Sequence, residues 1–403
     1  MNVVLIVGVL LIIPVTLAAA YRATFAFTYL AHRLRRRGAP SPLPPSDALR
    51  FAALIPAHDE ELLISAVVNS IKGCRYPTDH IDIYVVADNC SDATADRARA
   101  HGAIVFERRD TEKRGKGQAL AWLIAQVDPS RYRAFAIFDA DCLVDPAFFA
   151  AMTRELLEGG RCLQGYYDIA NPDTSTFTRL LSVTYVMKNL LFNAGKRLAG
   201  LSVSLMGTGM VFTCEVIERY GWTASSVAED LEQSINLMEH GETIRFVSDA
   251  RVKAQESSNL RTGYTQRQRW ATGRRGLRRR AWSLVISGVR SKSLARADLG
   301  CELLLPSYSG LLNATVLLLP LTWLVSALCP ALLVVNLLLL AYQLLEVGVA
   351  YALMGARPRD LLALAYAPVF LVWKGGIEIL ARFGVQRSAW IRTKRSQHPG
   401  REE

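Results

Sequence analysis

Asp139-Ala140-Asp141 carries the most legible chemistry in this chain: two carboxylates flank one small residue directly after the apolar run 134–138. Oxygen ligands at that spacing suit a hard divalent cation, Mg2+ or Mn2+, and such a cation offsets the charge of a leaving diphosphate. Alone, the pattern arises often by chance. Its place at the end of an apolar strand gives it weight. Asp88 follows another apolar run, 81–87, in Ala87-Asp88-Asn89-Cys90-Ser91-Asp92. Its carboxylate could accept hydrogen bonds from a base or a ribose, although the same stretch also suits a helix cap.

Three further strings could complete such a site. Arg114-Gly115-Lys116-Gly117 precedes a helix. Backbone amides there and the Lys116 ammonium suit a phosphate, or else form a flexible basic loop. Val227-Ala228-Glu229-Asp230-Leu231 opens a helix, where acidic residues are favoured in any protein. Beside a metal-held donor, however, one carboxylate must accept the proton of an attacking hydroxyl, and Asp230 is the candidate. Gln266-Arg267-Gln268-Arg269-Trp270 offers amide, guanidinium and indole groups within two helical turns. Arg269 could bind diphosphate and Trp270 could stack on a sugar, although an ordinary amphipathic helix also holds such residues.

These residues need a scaffold, and the chain between 51 and 300 supplies one. Short apolar runs at 51–56, 81–87, 103–106 and 134–138 alternate with helical stretches at 61–72, 92–100 and 117–125. That alternation predicts an α/β fold with a Rossmann-like, mostly parallel sheet covered on both faces. Ligands of such sheets bind at the carboxyl ends of the strands, where Asp88 and Asp139 stand.

Around this domain the composition changes. The chain has 403 residues, 51% hydrophobic and 21% charged, too apolar for a soluble enzyme and too charged for a pure helical bundle. Residues 1–22 suit a first transmembrane helix, followed by a basic and Pro-rich linker, 23–50. Residues 301–356 suit a pair of spans, with Glu346 and Gln343 turned to the bundle interior. The last segment, 357–403, holds an apolar stretch at 361–383 with basic flanks on both sides, which favours an interfacial or re-entrant helix over a true span. Basic clusters beside apolar segments place the domain on the cytoplasmic face of a membrane, next to anionic lipid. The net charge of +11 is therefore read as a membrane partner and not as a nucleic-acid surface. The seven scattered cysteines form no CxxC pair, which suggests reduced thiols. Residues 176–198 carry Phe177, Leu180, Leu181, Tyr185, Leu191 and Phe192 at helical spacing, as an interface helix or a buried core helix would.

In order along the chain, Pro56-Ala57-His58-Asp59-Glu60-Glu61, the Asp88 turn, Gly115-Lys116-Gly117, Asp139-Ala140-Asp141, Gly207-Thr208-Gly209, Glu229-Asp230 and Gln266-x-x-Arg269-Trp270 resemble the motif series of membrane family-2 glycosyltransferases. Cellulose, chitin, hyaluronan and poly-N-acetylglucosamine synthases share that series, as does ceramide glucosyltransferase. The resemblance covers roughly 54–280. It implies a GT-A fold, a UDP-sugar donor and Mg2+ or Mn2+ held at Asp139 and Asp141. It also places Ala57, Glu60 and Asp88 at the nucleotide, Lys116 at the phosphates, and Asp139 at nucleotide and metal. Asp230 becomes the base of an inverting transfer. Gln266, Arg269 and Trp270 bind diphosphate, and Glu229 and Trp270 line the acceptor site. Asp59 stands where the family commonly has Asn. Trp390, Thr393 and Arg395 are similar in spacing to the gating loop of cellulose synthase.

The resemblance implies a multi-pass enzyme, as of a bacterial inner membrane, that elongates a β-linked polysaccharide or oligosaccharide. So few spans make a narrow channel, which invites a homo-oligomer or an export partner. The alternative is a single transfer to a membrane lipid, as ceramide glucosyltransferase performs. A non-catalytic nucleotide-binding sensor is disfavoured because every expected acidic position is filled.

Overall fold

The computed structural model describes residues 3–35 and 48–382. Its centre is one eight-stranded sheet: β1 (Phe51–Ala57), β2 (Ile81–Asp88), β3 (Ile104–Arg108), β4 (Ala134–Ile137), β5 (Cys142–Val144), β6 (Cys162–Ile169), β7 (Met210–Thr213) and β8 (Ile244–Ala254). The spatial order is β3-β2-β1-β4-β7-β6-β8-β5. The first four strands are mutually parallel, with Leu54 registered against Tyr84 on one side and Ile137 on the other. Every residue of β1 is buried. Phe51, Ala53, Ile55 and Ala57 enter one apolar cluster while Ala52 and Leu54 enter another, so the strand is covered on both faces.

Helices flank these strands as the alternation requires. Ile64–Lys72 buries Ile64, Val67, Val68 and Ile71, an i, i+3, i+4, i+7 stripe. Lys116–Ile124 buries Ala119, Leu120 and Leu123 against the opposite face. Beyond β4 the sheet turns mixed. β7 runs antiparallel to both β4 and β6, β5 runs antiparallel to β8, and β6 and β8 pair in parallel with an irregularity at Gly165/Tyr166. The mostly parallel expectation thus holds for the strands it was read from.

The helical part is docked onto this sheet. Helix Val3–Arg35 continues without a break from the apolar segment through the basic cluster. It packs on a π-helical segment, Met187–Ala194, that follows helix Thr176–Val186. Contact is close: a Cβ on Gly195 would fall 2.2 Å from the Phe25 carbonyl oxygen. Tyr21, Phe25 and Phe192 stack edge-on at the same seam, and the Tyr21 hydroxyl donates to Asp298 (2.8 Å). Residues 176–198 therefore lie between the sheet and the apolar helices, largely buried.

Among the described residues, three helices are long and apolar enough to cross a membrane: Val3–Arg35, Pro330–Met354 and Leu362–Ala381. A fourth crossing exists if Leu294–Leu304 and Tyr308–Leu324, bent by 61° at their junction, count as one. The 17 residues of Tyr308–Leu324 alone give about 25 Å of helix, short of a hydrocarbon core of roughly 30 Å. Glu346 and Gln343 face inward as expected. Gln343 is fully buried and donates to Thr315 Oγ1 (2.7 Å).

Candidate active site

The carboxyl ends of β1, β2 and β4 converge on one cluster. Asp139 follows β4, and its backbone N–H donates to Thr208 Oγ1 (3.1 Å). Lys116, the first residue of its helix, sets its ammonium 2.7 Å from Asp139 Oδ1 and 3.3 Å from Glu229 Oε1. It also donates to the Gly207 carbonyl (2.7 Å). Gly207 adopts φ +86, and a Cβ there would sit 3.5 Å from Lys116 Nζ and 3.7 Å from Asp230 Oδ2. A side chain there would be strained by the backbone conformation. Gly117 matters for closeness too: its Cβ would meet the Ala224 carbonyl oxygen at 2.4 Å. Lys116, Asp139, Glu229, Asp230 and Gly207 thus form one site from segments far apart in sequence.

Charge explains its poise. Burial opposes a cation at Lys116, but Asp139 and Glu229 outweigh it and hold the ammonium charged. Burial and then the Glu229 charge push the Asp230 carboxyl up to about 7, against the pull of Lys116 and a hydrogen bond from the Leu231 N–H (2.8 Å). A carboxylate with that affinity for protons is suited to general-base work near neutral pH.

Ala57, Glu60 and Asp88 form the neighbouring corner. Asp88 is buried, with Oδ1 2.5 Å from Arg108 Nη1 at the end of β3. Arg108 also donates to the Lys113 carbonyl (2.7 Å), tying Asp88 to the loop that leads to Lys116. The His58 ring nitrogen Nδ1 lies 2.6 Å from the Asp88 carbonyl, and the Glu60 N–H donates to Thr94 Oγ1 (2.8 Å). Asp59 has φ +53, a left-handed conformation that Asp and Asn both tolerate, which accounts for the acid in place of the amide.

Gln266, Arg269 and Trp270 all lie, half-buried, on helix Leu260–Gly276. Its Gly273 packs on Ala228, where a Cβ would come within 2.7 Å of the Ala228 Cβ, so the helix abuts the segment that carries Glu229 and Asp230.

Residues 48–273, more than half of the chain, match the sequence profile described as Glycosyltransferase like family 2. The chain belongs to this family. A probable glycosyltransferase of Bacillus subtilis, YdaM, is 26% identical over 233 residues, covering 56% of this chain and 55% of that protein. The beta-monoglucosyldiacylglycerol synthase of Synechocystis is 24% identical over 55% of this chain and 47% of its own. A probable glucomannan 4-beta-mannosyltransferase of Oryza sativa is 22% identical over 58% and 44%. This family-2 chain spans about half the length of the curated relatives it matches. A mannosyltransferase of Pyrobaculum calidifontis, solved with GDP-Man and Mn2+, superposes over 91% of this chain and 99% of its own, with TM-score 0.52 and 17% identity. That likeness fixes the fold as GT-A.

The pair Asp139 and Asp141 suits a divalent cation by the chemistry of its donors: hard carboxylate oxygens, half-buried, on the turn between β4 and β5. Among the described residues, the group of three or more candidate ligands brought together is instead Asp59, Cys90 and Asp92. Those side chains are engaged in turn hydrogen bonds, with Asp59 Oδ1 accepting from the Ser91 N–H (2.7 Å). Burial also pushes the Cys90 thiol up to about 11.

Some residues of this family-2 site were not legible. Glu256 is buried and accepts from Tyr185 (2.7 Å), Tyr167 (3.3 Å) and Arg267 (2.9 Å). Arg267 also lies over the Trp270 ring, 4.5 Å from its centroid. Burial, then the charges of Tyr185, Glu256 and Asp139, raise the Tyr167 phenol far above its usual range. Within Gln266-Arg267-Gln268-Arg269-Trp270 the anchoring cation is Arg267. Only the bare presence of two arginines signalled it. Trp390, Thr393 and Arg395 lie outside the described residues.

Proposed function

We propose that this chain is a membrane-bound, metal-dependent, inverting glycosyltransferase that takes its sugar from a UDP-sugar. The observation that carries the reading is Lys116 between Asp139 and Glu229, with Asp230 beside it and its carboxyl raised to about 7. Asp139 and Asp141 would hold Mg2+ or Mn2+, which when bound offsets charge on the leaving diphosphate. Lys116 balances the carboxylates and meets a donor phosphate. Asp230 takes the proton of the acceptor hydroxyl as its oxygen bonds to the anomeric carbon. The bond from that carbon to the diphosphate breaks, and nucleoside diphosphate leaves with the electron pair. Gln266, Arg269 and Trp270 border donor and acceptor, and Ala57, Glu60 and Asp88 border the nucleotide.

The apolar helices support a transfer at a membrane. Helix Val3–Arg35 ends in His32, Arg33 and Arg35, which supports a cytoplasmic catalytic domain. The glucomannan relatives support elongation of a β-linked polymer. A single transfer to a membrane lipid is supported by a compact cationic cavity where the apolar helices meet the site.

The test uses the purified full chain, Mn2+ or Mg2+, and a panel of UDP-sugars with GDP-mannose as the contrasting donor. One UDP-sugar should release UDP only with metal present, and Asp230→Asn should abolish transfer while still binding UDP. Full turnover by that variant would remove Asp230 as base. Water-soluble product of high mass means elongation; label extracted into organic solvent means a lipid acceptor.

A further inference from the structure

A cavity of about 220 Å³ lies where helix Val3–Arg35, the 176–194 segment, helix Leu260–Gly276 and helix Ala367–Arg382 meet. Its walls carry five cations, Arg22, Lys188, Arg267, Arg274 and Lys374, and one carboxylate, Glu302. Glu302 is shared by Lys188 (2.7 Å), Lys196 (2.5 Å) and Ser204 (2.7 Å). Arg267 is paired with Glu256. Arg274 caps the end of helix Leu294–Leu304, donating to the carbonyls of Glu302 (2.7 Å), Leu303 (3.1 Å) and Leu305 (2.8 Å).

Two cations are left over. Arg22 lies over the rings of Phe192 (5.1 Å) and Tyr308 (5.5 Å), and its buried Nε has no hydrogen-bond partner among the described residues. Glu346, a carboxylate within electrostatic reach of Arg22, is not part of the lining. Lys374 faces the same space; Glu378, one turn on, lies within its electrostatic reach but outside the lining, and accepts from the Ser307 hydroxyl (2.5 Å). Five cations against one carboxylate leave the lining with an excess of positive charge, and a buried excess of charge is costly, so the lining calls for a negative ligand. Arginine and lysine together suit a phosphate-class group.

Apolar surface shares the cavity: Leu181, Phe192, Phe370 and Trp373. Two of its walls are helices long enough to cross a membrane, Val3–Arg35 and Leu362–Ala381. An anionic head with an alkyl body fits both features. The cavity also adjoins the transfer site. Arg267 and Arg274, seven residues apart, share one face of the helix that bears Trp270. Gly273, next to Arg274, packs on Ala228, directly before Glu229 and Asp230.

We propose that this cavity binds the anionic, phosphate-class headgroup of a membrane lipid, and that this lipid is the acceptor. The assignment rests on the transferase reading above and narrows it to a charged lipid.

The experiment uses the full chain in an uncharged detergent, without metal or donor sugar. It is titrated with dihexanoyl phosphatidic acid, dihexanoyl phosphatidylcholine and inorganic phosphate, and the melting temperature is read. Phosphatidic acid should stabilise the protein saturably, phosphatidylcholine should not, and inorganic phosphate should need at least about tenfold more. The pair Arg22→Gln and Lys374→Gln should weaken phosphatidic acid about tenfold or more, the loss expected for charge-assisted hydrogen bonds. If the double variant melts early without lipid, Lys374→Gln alone is read in the same way. Equal stabilisation by phosphatidylcholine, or unchanged binding by the variants, overturns the proposal. Phosphate binding as tightly as phosphatidic acid makes this a free-anion site and overturns the lipid assignment. Donor turnover is measured separately: a dead enzyme that still selects phosphatidic acid keeps the lipid site but overturns its acceptor role together with the transferase reading, and an active one blind to headgroup charge sinks only this proposal.

Discussion

Lys116 and Asp139 form an ion pair of 2.7 Å across the mouth of the sheet, joining the start of one helix to the end of β4. The same ammonium reaches Glu229. It is therefore the counter-charge that lets several carboxylates share one half-buried space. Replacing it with a neutral side chain of similar shape, Lys116→Met, leaves those acids facing one another and takes a cation from the donor phosphates. We expect kcat/KM to fall by about 100-fold or more, as when a preorganised charge-stabilising group is lost. Nucleotide release over a range of Mn2+ concentrations measures it. Activity within twofold of the native chain would remove Lys116 from the site.

Asp230 sets a pH dependence with a definite sign. The base acts when deprotonated, and its carboxyl is raised to about 7 by burial first and by Glu229 second. The rate should therefore fall as pH drops below about 7. Glu229→Gln removes one of the two causes and should move that limb to lower pH. Stability runs the other way. A carboxyl whose folded value exceeds its unfolded value contributes stability that is fully present below the unfolded value, 3.8, and is lost as pH rises through about 7. Asp230→Asn should accordingly raise the melting temperature at pH 8 and leave it nearly unchanged at pH 4. A variant that melts earlier at pH 8 contradicts the assignment.

How much of this site could be read from the chain depends on sequence distance. β1 to β4 were visible because each is a short apolar run between amphipathic helices, and Asp88 and Asp139 were visible because they end such runs. β5 to β8 were not. β5 and β7 are three and four residues long, and β6 is interrupted by an irregularity at Gly165, so neither length nor period marks those three. Asp139, Glu229 and Asp230, from two separate motifs, gather around Lys116. The pairings that hold them, Arg108 with Asp88, Lys116 with Glu229 and Arg267 with Glu256, join segments that only the fold brings together. No local spacing encodes which of several arginines will meet a given acid.

Gly117 tests the packing behind Lys116. Its Cα lies so close to the Ala224 carbonyl that a methyl group would sit 2.4 Å from that oxygen, a backbone atom that cannot swing aside. Gly117→Ala must push the start of the Lys116 helix away from the segment that leads to Glu229. A displacement near 1 Å at a reacting group costs on the order of 100-fold in rate. We expect that loss in kcat with only a modest drop in melting temperature, since the rest of the helix keeps Leu120 and Leu123 buried. Full activity would mean that the segment 224–229 yields freely.

Glu256 offers the sharpest separation of stability from function. Its carboxylate is buried and accepts from Tyr185, Tyr167 and Arg267 at once. Removing it in Glu256→Ala strands the Arg267 guanidinium, and breaking one partner of a buried pair costs about 3–5 kcal/mol. Replacing both partners with apolar side chains, Glu256→Met with Arg267→Met, removes the stranded charge and should recover most of the lost melting temperature. Activity should not return with it. Arg267 lies over the Trp270 ring, so the double variant leaves that indole without its positioning contact on the helix proposed to border donor and acceptor. The expected result is a stable protein with a raised KM, read by donor titration beside a thermal melt. A double variant as unstable as the single one would show that the pair is not what anchors the helix. One with native KM would show that Trp270 needs no such support.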